Sequence, residues 1–136
     1  MPWSATVDPD LRVGMVRATG YVTGRDIFLA NEALYSDPAW QPGFDELWDC
    51  SDISEFVVDL DELKDVAAME VEGKDRVGNG RVALVMTREV VQMVGYLYRR
   101  LVVESERPVE VVQTLEAGAA WLGLDGVPDW LRAPGA

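Results

Sequence analysis

The chain has 136 residues, 49% of them hydrophobic and 26% charged. That composition suits one globular domain, able to bury about two-thirds of its unfolded surface without metal or disulfide. A formal charge of −12 and a pI of about 4.2 set the surface against phosphate backbones and exclude generic nucleic-acid binding. With no histidine, Ser-His-Asp and Cys-His catalysis and every histidine-based zinc site are excluded too.

The opening Met-Pro-Trp-Ser-Ala-Thr-Val-Asp carries neither a basic stretch nor an apolar one, so it does not read as a signal peptide. The longest apolar runs, such as Val82 to Met86, fall far short of the roughly 20 residues that span a membrane. The lone Cys50 has no internal disulfide partner, which suits a reducing compartment. The expectation is a cytoplasmic protein with no membrane span.

Residues 3 to 7 and 11 to 18 read as a β-hairpin around the turn signature Asp8-Pro9-Asp10. Gly14 marks a weak point or a close approach in the second strand. Thr23 caps a helix whose apolar face is Ile27, Ala30, Asn31 and Leu34. Asp37-Pro38 ends that helix, and Trp40-Gln41-Pro42-Gly43 is a turn. Phe44 to Asp49 reads as a strand, with a short extended piece at Glu55 to Val58. Asp59 and Glu62 have the spacing of a capping box. The helix they open carries Leu60, Leu63, Ala67 and Val71 on one face and ends near Gly73.

Arg81 to Met86 is a Val-rich strand of buried type. Thr87 is expected to cap a long helix over 88 to 103, with Val90, Val94, Leu97 and Leu101 as its core stripe. Pro108 to Gln113 is another strand, and Thr114 caps a last short helix. Residues 1 to 125 form a single domain on this reading, and 126 to 136 an irregular tail in which Trp130 acts as an anchor. Strands alternating with helices after an N-terminal hairpin imply a mostly parallel sheet.

Four stretches in this order resemble the SpoIIAA-like proteins, relatives of the STAS domain (sulphate transporter and anti-sigma antagonist). They are Gly20-Tyr21-Val22-Thr23, Asp37-Pro38-Ala39-Trp40-Gln41-Pro42-Gly43-Phe44, Asp49-Cys50-Ser51-Asp52-Ile53, and Ala119-Ala120-Trp121-Leu122. The likeness covers roughly residues 5 to 123. It implies an α/β fold of SpoIIAA/STAS-like type: a mixed sheet of about five strands, mostly parallel with an N-terminal hairpin, covered by about four helices. It also implies regulatory or ligand-binding roles and no established biochemical activity. Anti-sigma antagonists place a phosphorylated serine in an Asp-Ser-Ser-Gly setting. The comparable place here reads Phe56-Val57-Val58-Asp59-Leu60, with no serine, and Asp59 stands near where a phosphate would add charge.

Several constellations bear on chemistry. Asp49, Ser51 and Asp52 are expected just past a strand end, where α/β folds bind ligands. Turn chemistry explains them, and a Mg²⁺ site is the competing reading. Asp59 and Glu62 are explained by capping, without catalysis. Cys50 beside acids reads as a buried structural thiol. Trp40 either lines a pocket or plugs the end of the sheet. Tyr96 and Arg100 lie i and i+4 on the long helix, away from its core stripe, and suit a homodimer or partner contact. Between Asp45 and Asp75 stand 12 acidic and 2 basic residues, a solvated face or a docking surface for a basic partner.

The leading functional expectation is a non-enzymatic regulatory or protein-interaction module with no catalytic residue, no metal and no cofactor. The alternative is a carrier holding a small apolar, lipid-like ligand between sheet and helices. The third reading is a carboxylate- or metal-dependent enzyme using Asp49 and Asp52.

Overall fold

A computed structural model describes residues 1–103 and 106–132. Five strands form one sheet in the order of the sequence: β1 (Trp3–Asp8), β2 (Val13–Thr23), β3 (Asp45–Val57), β4 (Val82–Val85) and β5 (Val109–Val112). The β1/β2 pair is antiparallel and the other three pairs are parallel. The described residues hold six helices: α1 (Gly24–Ser36), α2 (Leu60–Glu72), α3 (Lys74–Val77), α4 (Glu89–Leu101), α5 (Leu115–Trp121) and α6 (Asp129–Arg132).

Strand alternation sends successive side chains to opposite faces and so builds two cores. Val16, Trp48 and Leu84 align across β2, β3 and β4 and meet α1, α2 and α4 on one face. Met15, Leu47 and Ala83 align beside them and meet α5 and α6 on the other. Gly14 faces the first core, where a Cβ would stand 3.0 Å from the Trp40 ring. It is a site of close approach.

The turn at Asp8 is built as its residues require: Asp8 Oδ1 accepts from the backbone N–H groups of Asp10 (3.0 Å) and Leu11 (3.1 Å). Thr23 and Asp59 each open their helix with a capping box. Four expectations are corrected. First, β3 runs unbroken through residues 50 to 57, where a turn and a separate strand were expected. Second, α4 begins at Glu89 behind Arg88, and Thr87 does not cap it. The Thr87 hydroxyl instead donates to Ser51 O at 3.4 Å.

Third, the core stripes of α2 and α4 are met only in part: Leu63 and Ala67 are buried and Val94 and Leu101 pack against the core as expected, but other positions differ. Val66 and Glu70 are buried on α2 while Leu60 is exposed. On α4, Val91, Gly95 and Tyr98 are buried while Val90 and Leu97 are exposed. Gly95 is the reason on α4: a Cβ there would stand 2.6 Å from Met86 Sδ, so its side of the helix is the one that can approach the sheet closely. Fourth, residues 129 to 132, expected to be irregular, form α6. The Arg17 guanidinium donates to Leu131 O at 2.6 Å and Trp130 O at 3.2 Å and lies over the Trp130 ring, holding α6 on the second core.

Gly78 has φ +80°, and a Cβ there would run into the backbone of Gly43. Gly20 has φ +71° with open space around it. In urea unfolding, Gly20→Ala should cost about 1 kcal/mol, the left-handed strain alone. Gly78→Ala should cost about 3 kcal/mol or more, because backbone must move. Equal costs would show that the contact with Gly43 is not tight.

Candidate functional site

The residues expected to carry a site do not converge. Asp49 is buried within β3, and its Oδ1 accepts from the Ser51 backbone N–H (3.1 Å) and hydroxyl (2.6 Å). The β2/β3 register slips here, with Arg17 opposite Asp49 and Thr19 opposite Asp52. Asp49 therefore satisfies the backbone of a β-bulge, and the trio lies inside the strand, not beyond its end. Asp52 is exposed. Among the described residues, no group of three or more acids or cysteines could hold a metal ion.

Asp59 accepts from the Glu62 N–H at 2.8 Å as the N-cap of α2. Trp40 is buried edge-on against Tyr35 and Phe44, with its Nε1 donating to Arg76 O at 3.0 Å. Burial, with the Asp49 charge beside it, pushes the Cys50 thiol up to about 12, which makes it inert as a nucleophile.

Tyr96 and Arg100 do share the outer face of α4. Around them Val90 is 64% exposed, Met93 71% and Leu97 39%. An apolar strip thus runs along a helix that has Glu89 in its first turn and Arg99 and Arg100 in its last. Arg88 is committed elsewhere, donating to the carbonyl of Ser54.

Among the described residues, buried charge gathers around residues that the sequence expectations do not name as a site. Glu46 of β3, Glu70 of α2 and Arg107 before β5 are all buried, joined by Tyr35 of α1 and Tyr98 of α4. Arg107 Nη2 donates to Glu46 Oε2 at 2.7 Å, and its Nε donates to Gly80 O at 3.0 Å. Glu46 Oε1 accepts from Trp48 Nε1 at 2.8 Å. The Tyr35 hydroxyl lies 2.7 Å from Glu46 Oε2 and 3.1 Å from Glu70 Oε1, and the Tyr98 hydroxyl donates to Glu70 Oε2.

Burial, and then the charge of Glu46, lift the Glu70 carboxyl from 4.5 to about 7, against the pull of Arg107 and both tyrosines. The same surroundings raise both tyrosines well above 10. One sequence signal does point to Glu70: it follows Leu63, Val66 and Ala67 at helical spacing, an acid on an apolar stripe.

Next to this cluster, between the sheet and α1, α2 and α4, lies a cavity of about 40 Å³ with Ile27, Trp48, Cys50, Leu63, Met86 and Val94 in its wall. Asn31 also borders it. Its Nδ2 donates to Ile27 O at 2.9 Å, and its buried Oδ1 has no partner.

This arrangement of sheet and helices matches a solved structure. It is an uncharacterised protein of the DUF3478 family with a SpoIIAA-like fold, from Shewanella loihica PV-4. The TM-score is 0.59 over 88% of this chain and 93% of that one. The fold is SpoIIAA-like. At 14% identity the likeness speaks for the fold alone. No family model and no curated protein matches the chain. Within this SpoIIAA-like fold, no helix of the described residues is long and apolar enough to cross a membrane.

Removing the cation should be severe. Arg107→Met leaves Glu46 and Glu70 buried with no cation beside them and should cost about 3–5 kcal/mol in urea unfolding. Arg76→Met, which breaks an exposed 2.9 Å pair with Glu32, should cost under about 1 kcal/mol. The pH dependence follows from Glu70. Its folded value is raised, so the native state holds the proton more tightly than the unfolded chain does. That stabilisation is complete below about 4.5 and is lost as pH rises through about 7. Relative to Glu70→Gln, wild-type stability should fall by about 3 kcal/mol across this window. A parallel pair of curves would refute the shift.

Proposed function

We propose that this chain is a non-enzymatic interaction module whose docking face is the outer side of α4, and that a second copy of the chain docks there. The observation that carries this reading is the exposed strip of Val90, Met93, Tyr96 and Leu97 on a helix with acid at its start and arginines at its end. Antiparallel pairing of two such helices sets Met93 against Leu97 of the second copy and Glu89 beside its Arg100. Apolar contact at the centre with opposite charge at the rim is the composition of a protein interface. The lack of histidine and the use of Asp49, Asp59 and Glu62 as backbone-satisfying groups support a role without catalysis.

A carrier of a small apolar ligand is the second reading, favoured by the apolar lining of the cavity. At about 40 Å³ that cavity is far below the roughly 300 Å³ at which ligand pockets begin. Native mass spectrometry separates the two. A mass excess lost on denaturation supports the carrier, and a ligand-free dimer supports the interaction module.

Met93→Asp should convert the dimer to monomer while changing unfolding stability by less than about 0.5 kcal/mol, since the site is exposed. Arg100→Glu should weaken the dimer, and adding Glu89→Arg should restore it. A wild-type protein that stays monomeric at high concentration overturns the self-docking reading.

A further inference from the structure

The buried cluster has fewer protons than its contacts require. Tyr35 has one hydroxyl proton and two carboxylate oxygens facing it, Glu46 Oε2 at 2.7 Å and Glu70 Oε1 at 3.1 Å. The shorter contact takes that proton, because Glu46 is the carboxylate that Arg107 pairs with directly at 2.7 Å. Arg107 Nη1 donates to the Tyr35 oxygen at 3.3 Å and stands 3.5 Å from Glu70 Oε1, too long for a hydrogen bond by comparison with the 2.7 Å bond to Glu46. The oxygens of Tyr35 and Glu70 thus face each other at 3.1 Å with no proton of Tyr35 or Arg107 between them. A neutral Glu70 supplies the missing one. The chain then runs Glu70 O–H to Tyr35 O–H to Glu46 carboxylate, and with one cation beside one ionised carboxylate the cluster's charge is zero.

We propose that Glu70 carries a proton on Oε1 in the resting protein, donated to the Tyr35 hydroxyl, and that release of this proton to solvent unseats α2 and α4 together from the sheet. The charged and titratable groups facing Glu70 are Tyr35 on α1, Glu46 on β3, Tyr98 on α4 and Arg107 before β5. Arg76 of α3 lies beyond the Tyr35 ring, 5.4 Å from its centre, and is exposed. Losing the proton leaves one negative charge in excess among these groups and sets the Glu70 carboxylate against Glu46 and the Tyr35 lone pairs. The bond to Tyr98 survives, and an ionised acceptor strengthens it. The strain is relieved by moving the helices that carry Glu70 and Tyr98 as a pair, away from β3. The value of about 7 for Glu70 puts this event near neutrality. The latch is independent of what α4 docks against.

The test uses wild-type protein labelled with ¹³C at the glutamate side-chain carboxyl and followed by NMR from acid to mildly alkaline pH. The Glu70 signal is assigned by its absence in Glu70→Gln. Amide hydrogen exchange of α2 and α4, corrected for the intrinsic pH dependence, is measured in parallel. The expected result is one carboxyl that titrates near neutrality, with protection in α2 and α4 falling severalfold at the same midpoint. Protection in β2 and β3 should hold, and Glu70→Gln should keep both helices protected throughout. A set of carboxyls that all titrate in the ordinary acidic range overturns the proposal. So does a near-neutral titration with no change in helix protection. Both outcomes are read from wild-type protein, so they hold even if Glu70→Gln does not fold.

Discussion

The contact between Arg107 and Glu46 is the constraint around which this domain is arranged. Neither group reaches water, and burying an ion is tolerated only where a partner and further hydrogen bonds replace its hydration. Here the replacements come from across the chain: Gly80 O for the guanidinium, Trp48 and Tyr35 for the carboxylate. Each bond fixes an element. Tyr35 sets the rotation of α1, Glu70 that of α2, and Tyr98 that of α4, so three helices that cover one sheet face are indexed against one point. An apolar core of equal volume would hold them as firmly but would not specify their rotation so narrowly. Conformational specificity is the attested use of buried polar groups in some proteins.

The exposed strip on α4 follows from that indexing. The helix carries two apolar stripes offset by one residue. One runs through Val90 and Leu97, the other through Val91 and Tyr98. Hydrophobicity barely distinguishes them. The second wins because Tyr98 has a carboxylate to reach and Gly95 lets the helix settle onto Met86. Turning Tyr98 inward turns Val90, Met93 and Leu97 outward. The polar interior and the apolar exterior of this helix are two results of one choice.

Local chemistry made much of the fold legible. The Asp8 turn, the Thr23 cap, the Asp59 capping box, the hairpin and the Val-rich strands all depend on residues within a few positions of one another. The exceptions are instructive. Asp49 and Ser51 have turn chemistry, and they use it, but to satisfy the extra residue of a bulge inside β3. Residue type therefore identified the interaction and misplaced the element. Glu46 and Glu70 sit within the acidic segment, where counting charges suggested a solvated face, yet each is withdrawn into the core. Their partner lies at 107, and no local pattern joins them to it.

The order of strands across the sheet is also their order along the chain, so each newly made strand can add to the edge of what precedes it. Arg107 breaks this simplicity. A nascent chain that has exposed everything up to α4 already contains Glu46, Glu70 and both tyrosines but no cation to place among them. Closing the helical face of the sheet at that stage would bury Glu46 with no counter-charge, and the cation that balances it comes only with the segment leading into β5. The last strand thus acts as a completion signal. A chain that ends before Arg107 has all but one of the strands of its sheet and no cation for its buried carboxyl groups.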